Sequence, residues 1–231
     1  MPNPKLEILA YEASPLGMLC LRRRELLSQP GTVVTEVTLN HEFLMSSLYT
    51  DSERALASTA IRLHSGCDAR VLIGGLGLGY TAREALCSPR VAHVEVVELL
   101  PQVIGWLSAG LLPLSTELSD ASRLRVTQGD VYERLQRPPG GAVDMILIDV
   151  DHSPSEPLGA TSEAFYTVEG LRAARGHLRT GGVLGIWSYA ESTPLTEGLR
   201  EVFAEVHVEP VTHRNRLIDE ERTDWLFFGC R

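Results

Sequence analysis

The sequence predicts an open, doubly wound α/β sheet that ends in an antiparallel hairpin. Three observations predict it. Strand-like and helix-like segments alternate after residue 68. The run Met145-Ile146-Leu147-Ile148 is uninterrupted and apolar, as a central parallel strand covered on both faces requires. The last two β-like segments, Val206 to Val211 and Asp224 to Phe228, have no helix between them.

Each element can be justified in turn. Leu6 to Tyr11, Gly17 to Leu21 and Thr32 to Leu39 are apolar or β-branched runs, separated by Ser14-Pro15 and Gln29-Pro30-Gly31. They define an N-terminal β-region over residues 1–50, and the partial alternation of Val33 to Leu39 predicts a strand with one wet face. Arg22, Arg23 and Arg24 read as a solvated strand edge that discourages pairing. Ser52 is placed to cap a helix carrying Ala55, Leu56, Ala60, Ile61 and Leu63 on one face. Residues 51–231 then form the larger unit. Its strands are Arg70 to Ile73, Val94 to Glu98, Leu124 to Thr127, Met145 to Ile148 and Val183 to Trp187, followed by the hairpin. Its helices are Thr81 to Cys87, Pro101 to Leu107, a short one at Val131 to Leu135, Glu163 to Leu178 capped by Ser162, and one from Thr193-Pro194 to Phe203. That makes a mostly parallel, Rossmann-like sheet of seven strands.

Composition narrows the function. The chain has 231 residues and a formal charge of −9, whereas nucleic-acid binders usually carry the opposite sign. Four scattered cysteines without a CxxC pair argue against a disulfide framework or a zinc knuckle. Pro2, Pro4, Lys5, Glu7 and Glu12 interrupt the first twenty residues, and no apolar run reaches about 18 residues. A cytoplasmic protein without a membrane span is expected. There is no GxSxG, GxxxxGK[ST] or HExxH, and no metal site is expected from His207, Glu209 and His213.

The chemistry should lie at the carboxyl ends of the parallel strands, where such sheets bind ligands. Four features stand there. Gly74-Gly75-Leu76-Gly77-Leu78-Gly79 follows the first strand of the larger unit and precedes a helix; glycines permit tight turns and close approach of a ligand. Glu98, followed by Leu99, ends the second and can accept both hydroxyls of a ribose. Asp130 follows the third and can accept from an exocyclic amine, with the Val131 N–H meeting a ring nitrogen; capping of the short helix is its alternative role. Asp149-Val150-Asp151-His152 follows the fourth. Together they predict a nucleoside site. The GxGxxA at Gly77 to Ala82 also fits a dinucleotide, but too little chain remains for a separate substrate domain.

V-L-I-G-G-L-G-L-G (71–79), V-E-V-V-E-L (94–99), Q-G-D-V (128–131) and D-M-I-L-I-D-V-D (144–151) resemble the class I AdoMet-dependent methyltransferases, and most of all their spermidine synthase branch, the aminopropyltransferases. Glu36 to Asn40, Ser52-Glu53 and Ala164-Phe165-Tyr166 extend the likeness to about residues 32–229. The resemblance implies S-adenosylmethionine or its decarboxylated form as co-substrate, held by Gly74, Gly75, Gly77, Gly79, Glu98, Leu99, Asp130, Val131 and Asp149. It implies a small cationic or amine acceptor met by Glu53 and Tyr166, and a homodimer. Trp187 and Tyr189, at the end of the fifth strand of the larger unit, are placed to wall the acceptor pocket, with the core as the alternative place for Trp187. The sequence also departs from that branch. Gly77 stands where GGGDGG carries its aspartate, and His152 where D-x-S-D-P carries its second carboxylate.

A sulfonium donor is already activated, so the protein need only align the nucleophile and keep it unprotonated. Asp149 is placed to take the proton and hold the cation, with Asp151 or His152 assisting. The alternatives are a small-molecule methyltransferase using S-adenosylmethionine itself and a nucleoside-binding pseudoenzyme without turnover.

Overall fold

The computed structural model describes residues 6–150, 152–156, 160–215 and 220–231. The N-terminal region is a four-stranded antiparallel sheet in chain order: β1 (Leu6–Ser14), β2 (Gly17–Glu25), β3 (Val33–Leu39) and β4 (Glu42–Ser46). The β1–β2 turn is closed by Ser14, whose Oγ donates to the Gly17 carbonyl at 2.8 Å. Asn40 and His41, both at positive φ, turn β3 into β4, a strand the sequence reading did not foresee. The expected wet face of β3 is absent, because Thr35, Glu36 and Thr38 are all buried. Arg22 and Arg24 reach across from the paired strand β2 and bind the two oxygens of Glu36 at 2.9 and 2.7 Å. The arginine triplet is therefore no solvated edge; two of its members neutralise a buried carboxylate, and Arg23 donates to the Leu111 carbonyl.

The second sheet holds β5 (Ala69–Gly74), β6 (Val91–Glu98), β7 (Leu124–Gln128), β8 (Val143–Ile148), β9 (Leu178–Ser188), β10 (Glu205–Asn215) and β11 (Glu220–Cys230), in the order β10-β11-β9-β8-β5-β6-β7. The pairs among β5 to β9 are parallel, while β11 runs antiparallel to both β9 and β10. The chain leaves β5 toward β6 and β7 and then returns to β8 on its other side. A crevice therefore opens at the carboxyl ends of β5 and β8, where ligands of such sheets bind.

Alternate residues on these strands enter opposite cores. Val71, Ile73, Met145, Leu147 and Phe228 pack with Leu56, Ala57 and Ala60 of α1 (Asp51–Leu63), Ala82 and Ala85 of α2 (Tyr80–Cys87), and Trp106 of α3 (Pro101–Ser108). The short α4 (Ser115–Ser119), also unforeseen, adds Leu118. Leu72, Ile146, Ile148 and Phe227 pack on the other face. There they meet α5 (Val131–Gln136), α6 (Ala160–Phe165), α7 (Val168–Gly176) and α8 (Thr193–Val202). Leu19, Leu21 and Val37 of the N-terminal sheet join the first core. No helix among the described residues is long and apolar enough to cross a membrane.

Two expected helix starts move. The single helix expected from Glu163 to Leu178 is two helices, and Ser162 is buried inside the first. Thr167 caps the second, accepting from the Gly170 N–H at 3.1 Å. Gly170 packs so tightly that a Cβ there would lie 2.2 Å from the Ala164 carbonyl, which a helix continuing straight would not require. Ser52 is not the cap of α1 either. Thr50 precedes that helix without a side-chain capping bond, and the Ser52 hydroxyl turns inward.

Candidate active site

The glycine loop is shaped more by protein contacts than by ligand space. A Cβ on Gly75 (φ +88°) would lie 2.3 Å from the Asp149 carbonyl, one on Gly74 would lie 2.7 Å from Val131, and one on Gly79 (φ +94°) would lie 2.4 Å from Leu118. These three glycines let β5, β8, α4 and α5 approach one another. Gly77 differs: its side-chain direction opens onto space, with only the Met45 sulfur at 3.6 Å.

Two adjoining cavities cover the loop. The first, about 140 Å³, is mainly apolar and lies over β6 and β7; Gly75, Glu98, Leu99, Asp130 and Val131 line it, and Leu39, Leu44 and Met45 of the N-terminal sheet roof it. The second, about 410 Å³, is walled by Glu53 of α1, Gly77 and Gly79, Asp149 and His152, Trp187 and Tyr189 at the end of β9, and Asp224 of β11. Leu44, Met45, Gly77, Asp149 and Val150 border both, so the cavities meet at Asp149.

Glu98 ends β6 as a buried carboxylate. It accepts from the Leu76 N–H at 2.8 Å and the Leu100 N–H at 2.7 Å, and so ties the glycine loop to the start of α3. Burial pushes its carboxyl up, and these backbone donors pull it back. Asp130 caps α5, accepting from the N–H groups of Tyr132 and Glu133, and its other oxygen accepts from Thr161 Oγ1 at 2.9 Å. The capping role is thus present, and the residue still forms part of the first cavity's wall.

The sequence-nominated acceptor residues divide. Glu53, His152, Trp187 and Tyr189 share the second cavity with Asp149. Tyr189 Oη donates to Glu156 at 2.7 Å, holding the loop after β8 against the end of β9. Tyr166 and Gly74 line neither cavity. The Tyr166 hydroxyl lies 3.4 Å from that of Tyr132, and its ring packs on Phe165, so in this structure it serves the core between α5 and α6. Asp151 lies outside the described residues.

Sequence reasoning missed Asp224. It stands at the start of the apolar run of β11, and only the insertion of that strand beside β9 brings it to the cavity. A carboxylate opening a run of buried aromatics was the available signal. Asp149, Glu53 and Asp224 therefore converge from three distant parts of the chain. Burial, opposed by the Thr81 hydroxyl at 2.9 Å and aided by Asp224, pushes the Asp149 carboxyl up to about 6. Burial and the charge of Asp149 push Glu53 up to about 8. Burial also raises Asp224, against the pull of Ser52, His213 and Arg222. Without a cation the cavity resists holding three negative charges.

A stability prediction follows from these directions. A carboxyl raised on folding contributes stability below its unfolded pKa and loses it as pH rises through the folded value. The ligand-free protein should therefore lose stability from about pH 4 to pH 8, through Asp149 and then Glu53. Melting temperatures of Glu53→Gln and parent should match near pH 4 and diverge above pH 7, with the variant higher. Parallel curves would show that Glu53 is not under this strain.

The strand order and the antiparallel β11 define a Rossmann-like α/β fold of the class I methyltransferase type. Within that class the chain is spermidine synthase-like in fold. It superposes on a spermidine synthase in complex with the transition-state analogue AdoDATO with a TM-score of 0.76 at 19% identity, covering 96% of this chain and 73% of that one. For the spermidine synthase of Thermotoga maritima the values are 0.73, 17%, 96% and 72%. In sequence, the chain is 35% identical over 104 residues to polyamine aminopropyltransferase 2 of Streptomyces coelicolor, spanning 44% of this chain and 19% of that relative. It is 32% identical over 115 residues to the polyamine aminopropyltransferase of Clostridium acetobutylicum, spanning 50% of this chain and 38% of the relative. The matches thus span well under half the length of these two relatives. No family model matches the chain.

Proposed function

We propose that the chain is a spermidine synthase-like transferase that moves an alkyl group from an adenosyl sulfonium donor to a small amine. The observation that carries this reading is the acidic cavity of Glu53, Asp149 and Asp224, which meets the apolar cavity of Glu98 and Asp130 at Asp149. Three carboxylates at strained ionisation suit a cationic guest, and the adjoining apolar space with two acids at its wall suits an adenosyl group.

The residues present fit such a donor. Glu98 presents its carboxylate for the ribose hydroxyls, Asp130 for the adenine amine, and Leu99, Val131 and Leu44 supply apolar walls. The donor itself supplies a carbon made electrophilic by a positively charged sulfur, which leaves as a neutral thioether. The protein's part is alignment and deprotonation. Alkylammonium groups are charged at neutral pH. Asp149, bordering both cavities, holds the ammonium in line with the donor and takes its proton. Thr81, donating to Asp149 Oδ2, fixes the carboxylate and leaves Oδ1 for the amine.

Calorimetry against S-adenosylmethionine, its decarboxylated form and methylthioadenosine, followed by transfer assays on a panel of amines, tests the reading. Binding of an adenosyl ligand with turnover on an amine is expected. Failure of all three ligands to bind would remove it, and binding without turnover would favour a nucleoside-binding pseudoenzyme.

One observation favours S-adenosylmethionine itself, and so a methyl rather than an aminopropyl transfer. Gly77 brings no carboxylate of its own to the loop, and its side-chain direction meets only the Met45 sulfur at 3.6 Å. Gly77→Asp has room beside Met45, and φ +53° is among the positive values aspartate tolerates. The variant should shift relative affinity toward the decarboxylated donor by about tenfold, because only S-adenosylmethionine brings a like charge there. An unchanged ratio with the fold intact would show that the tail lies elsewhere.

A further inference from the structure

We propose that Glu53, Ser52 and Asp224 form a proton exit that carries the acceptor's proton from the floor of the second cavity to its hairpin side. The inference rests on the transfer reading above. Ser52 is 4% exposed, sits inside α1, and caps nothing. Its Oγ lies 2.7 Å from Asp224 Oδ2, a residue 172 positions away, and 3.2 Å from Glu53 Oε2. One hydroxyl proton cannot serve both carboxylates. When Ser52 donates along its shorter bond to Asp224, its oxygen is left to accept, and the Glu53 contact is satisfied only by a protonated Glu53. The three groups then form a chain with one direction, from Glu53 to Asp224.

Such a path has work to do. Alkylating an ammonium releases one proton per turnover. Asp149 takes it and passes it through water in the second cavity to Glu53, which walls the same space, so that Asp149 is again ionised. In the relay the Glu53 Oε2–H bond breaks as a bond forms between that proton and Ser52 Oγ. The original Ser52 O–H breaks as its proton joins Asp224 Oδ2. Glu53 is left ionised, so the Asp149–Glu53 pair is ready for the next ammonium, and Asp224 passes the proton to water. Burial and the like charge of Asp149 hold the proton on Glu53 until the next ammonium enters beside it and offsets both. His213 and exposed Arg222 pull Asp224 toward ionisation, so that Asp224 gives up to water the proton it receives. Tyr49, stacked on His213, stands with Tyr80, His152 and Tyr189 among the other titratable groups of that cavity's wall.

The test uses the full chain, a saturating adenosyl donor and an amine that the parent turns over, in dilute buffer. Ser52→Ala should lower kcat about tenfold or more, with amine KM and donor affinity little changed. Added imidazole, a small diffusible proton carrier, should restore the rate in proportion to its concentration. Ser52→Thr, which keeps the hydroxyl, should retain the rate. Asp224→Asn should show the same imidazole-rescuable loss, and it decides the matter if Ser52→Ala fails to fold. Parent-like kcat in the alanine variant, or a loss that imidazole leaves untouched, overturns the relay while the transfer reading stands. A parent that binds the donor and alkylates no amine overturns both.

Discussion

Replacing Asp149 by asparagine should lower the transfer rate by roughly 10²–10⁴-fold, the range general acid–base groups supply. Asparagine keeps the size of the side chain and an oxygen for the Thr81 hydroxyl at Oδ2, so the junction of β8 and α2 is preserved. What is lost is the charge that holds an ammonium and the base that neutralises it. The parent's rate should rise through about pH 6, the value to which burial pushes Asp149, as the carboxylate ionises. The variant should lack that limb and recover part of its deficit at alkaline pH, where the amine is already neutral. Donor affinity should stay close to the parent's, because Glu98 and Asp130 are untouched. Rates should be followed by release of the thioether product from pH 5 to pH 10. Full turnover in Asp149→Asn at neutral pH would eliminate this residue as the base.

The charge arithmetic at that cavity explains why the apparent departures from the aminopropyltransferase pattern do not empty it of acids. His152 stands where a second carboxylate was expected, and Asp151 lies outside the described residues. The cavity still has Glu53 from α1 and Asp224 from β11. A guest cation is therefore met by groups from separate elements rather than by one loop, so acceptor preference should depend on the terminal hairpin as well as on the loop after β8.

How much of this was legible in the sequence depended on the range of the interactions. Strands covered on both faces announced themselves as apolar runs, and Ile146 and Leu147 could be given to opposite cores before any coordinates. The strand-end positions of Gly75, Glu98, Asp130 and Asp149 followed from the same alternation. Three features were not legible. Glu36 looked wet because its partners Arg22 and Arg24 come from a paired strand whose register the sequence does not state. Asp224 and Ser52 meet only because β11 inserts between β9 and β10, a pairing of distant segments. The glycines of the loop read as space for a ligand, whereas Gly74, Gly75 and Gly79 are crowded by Val131, Asp149 and Leu118. Only Gly77 keeps the open side that the motif suggested.

Glu98→Gln should weaken every adenosyl ligand by about 1.5–3 kcal/mol, the cost of losing a charge-assisted hydrogen bond in a buried place. The structure adds a second cost. Both carboxylate oxygens accept backbone N–H groups, from Leu76 and Leu100. Glutamine has one oxygen, so its NH₂ must face one of those donors, and a buried N–H loses its partner at about 1–3 kcal/mol. The variant should therefore melt earlier even without ligand, and the glycine loop should lose its tie to α3. Asp130→Ala separates the two contributions. It removes the cap of α5, worth about 1 kcal/mol, and the bond from Thr161, but leaves the loop anchored. Its effect on methylthioadenosine binding should fall in the same 1.5–3 kcal/mol range. That ligand has the adenosyl group and no amino-acid tail, so calorimetry with it reads the first cavity alone. If both variants bind it as tightly as the parent, the nucleoside does not lie over β6 and β7, and the site must be sought in the second cavity.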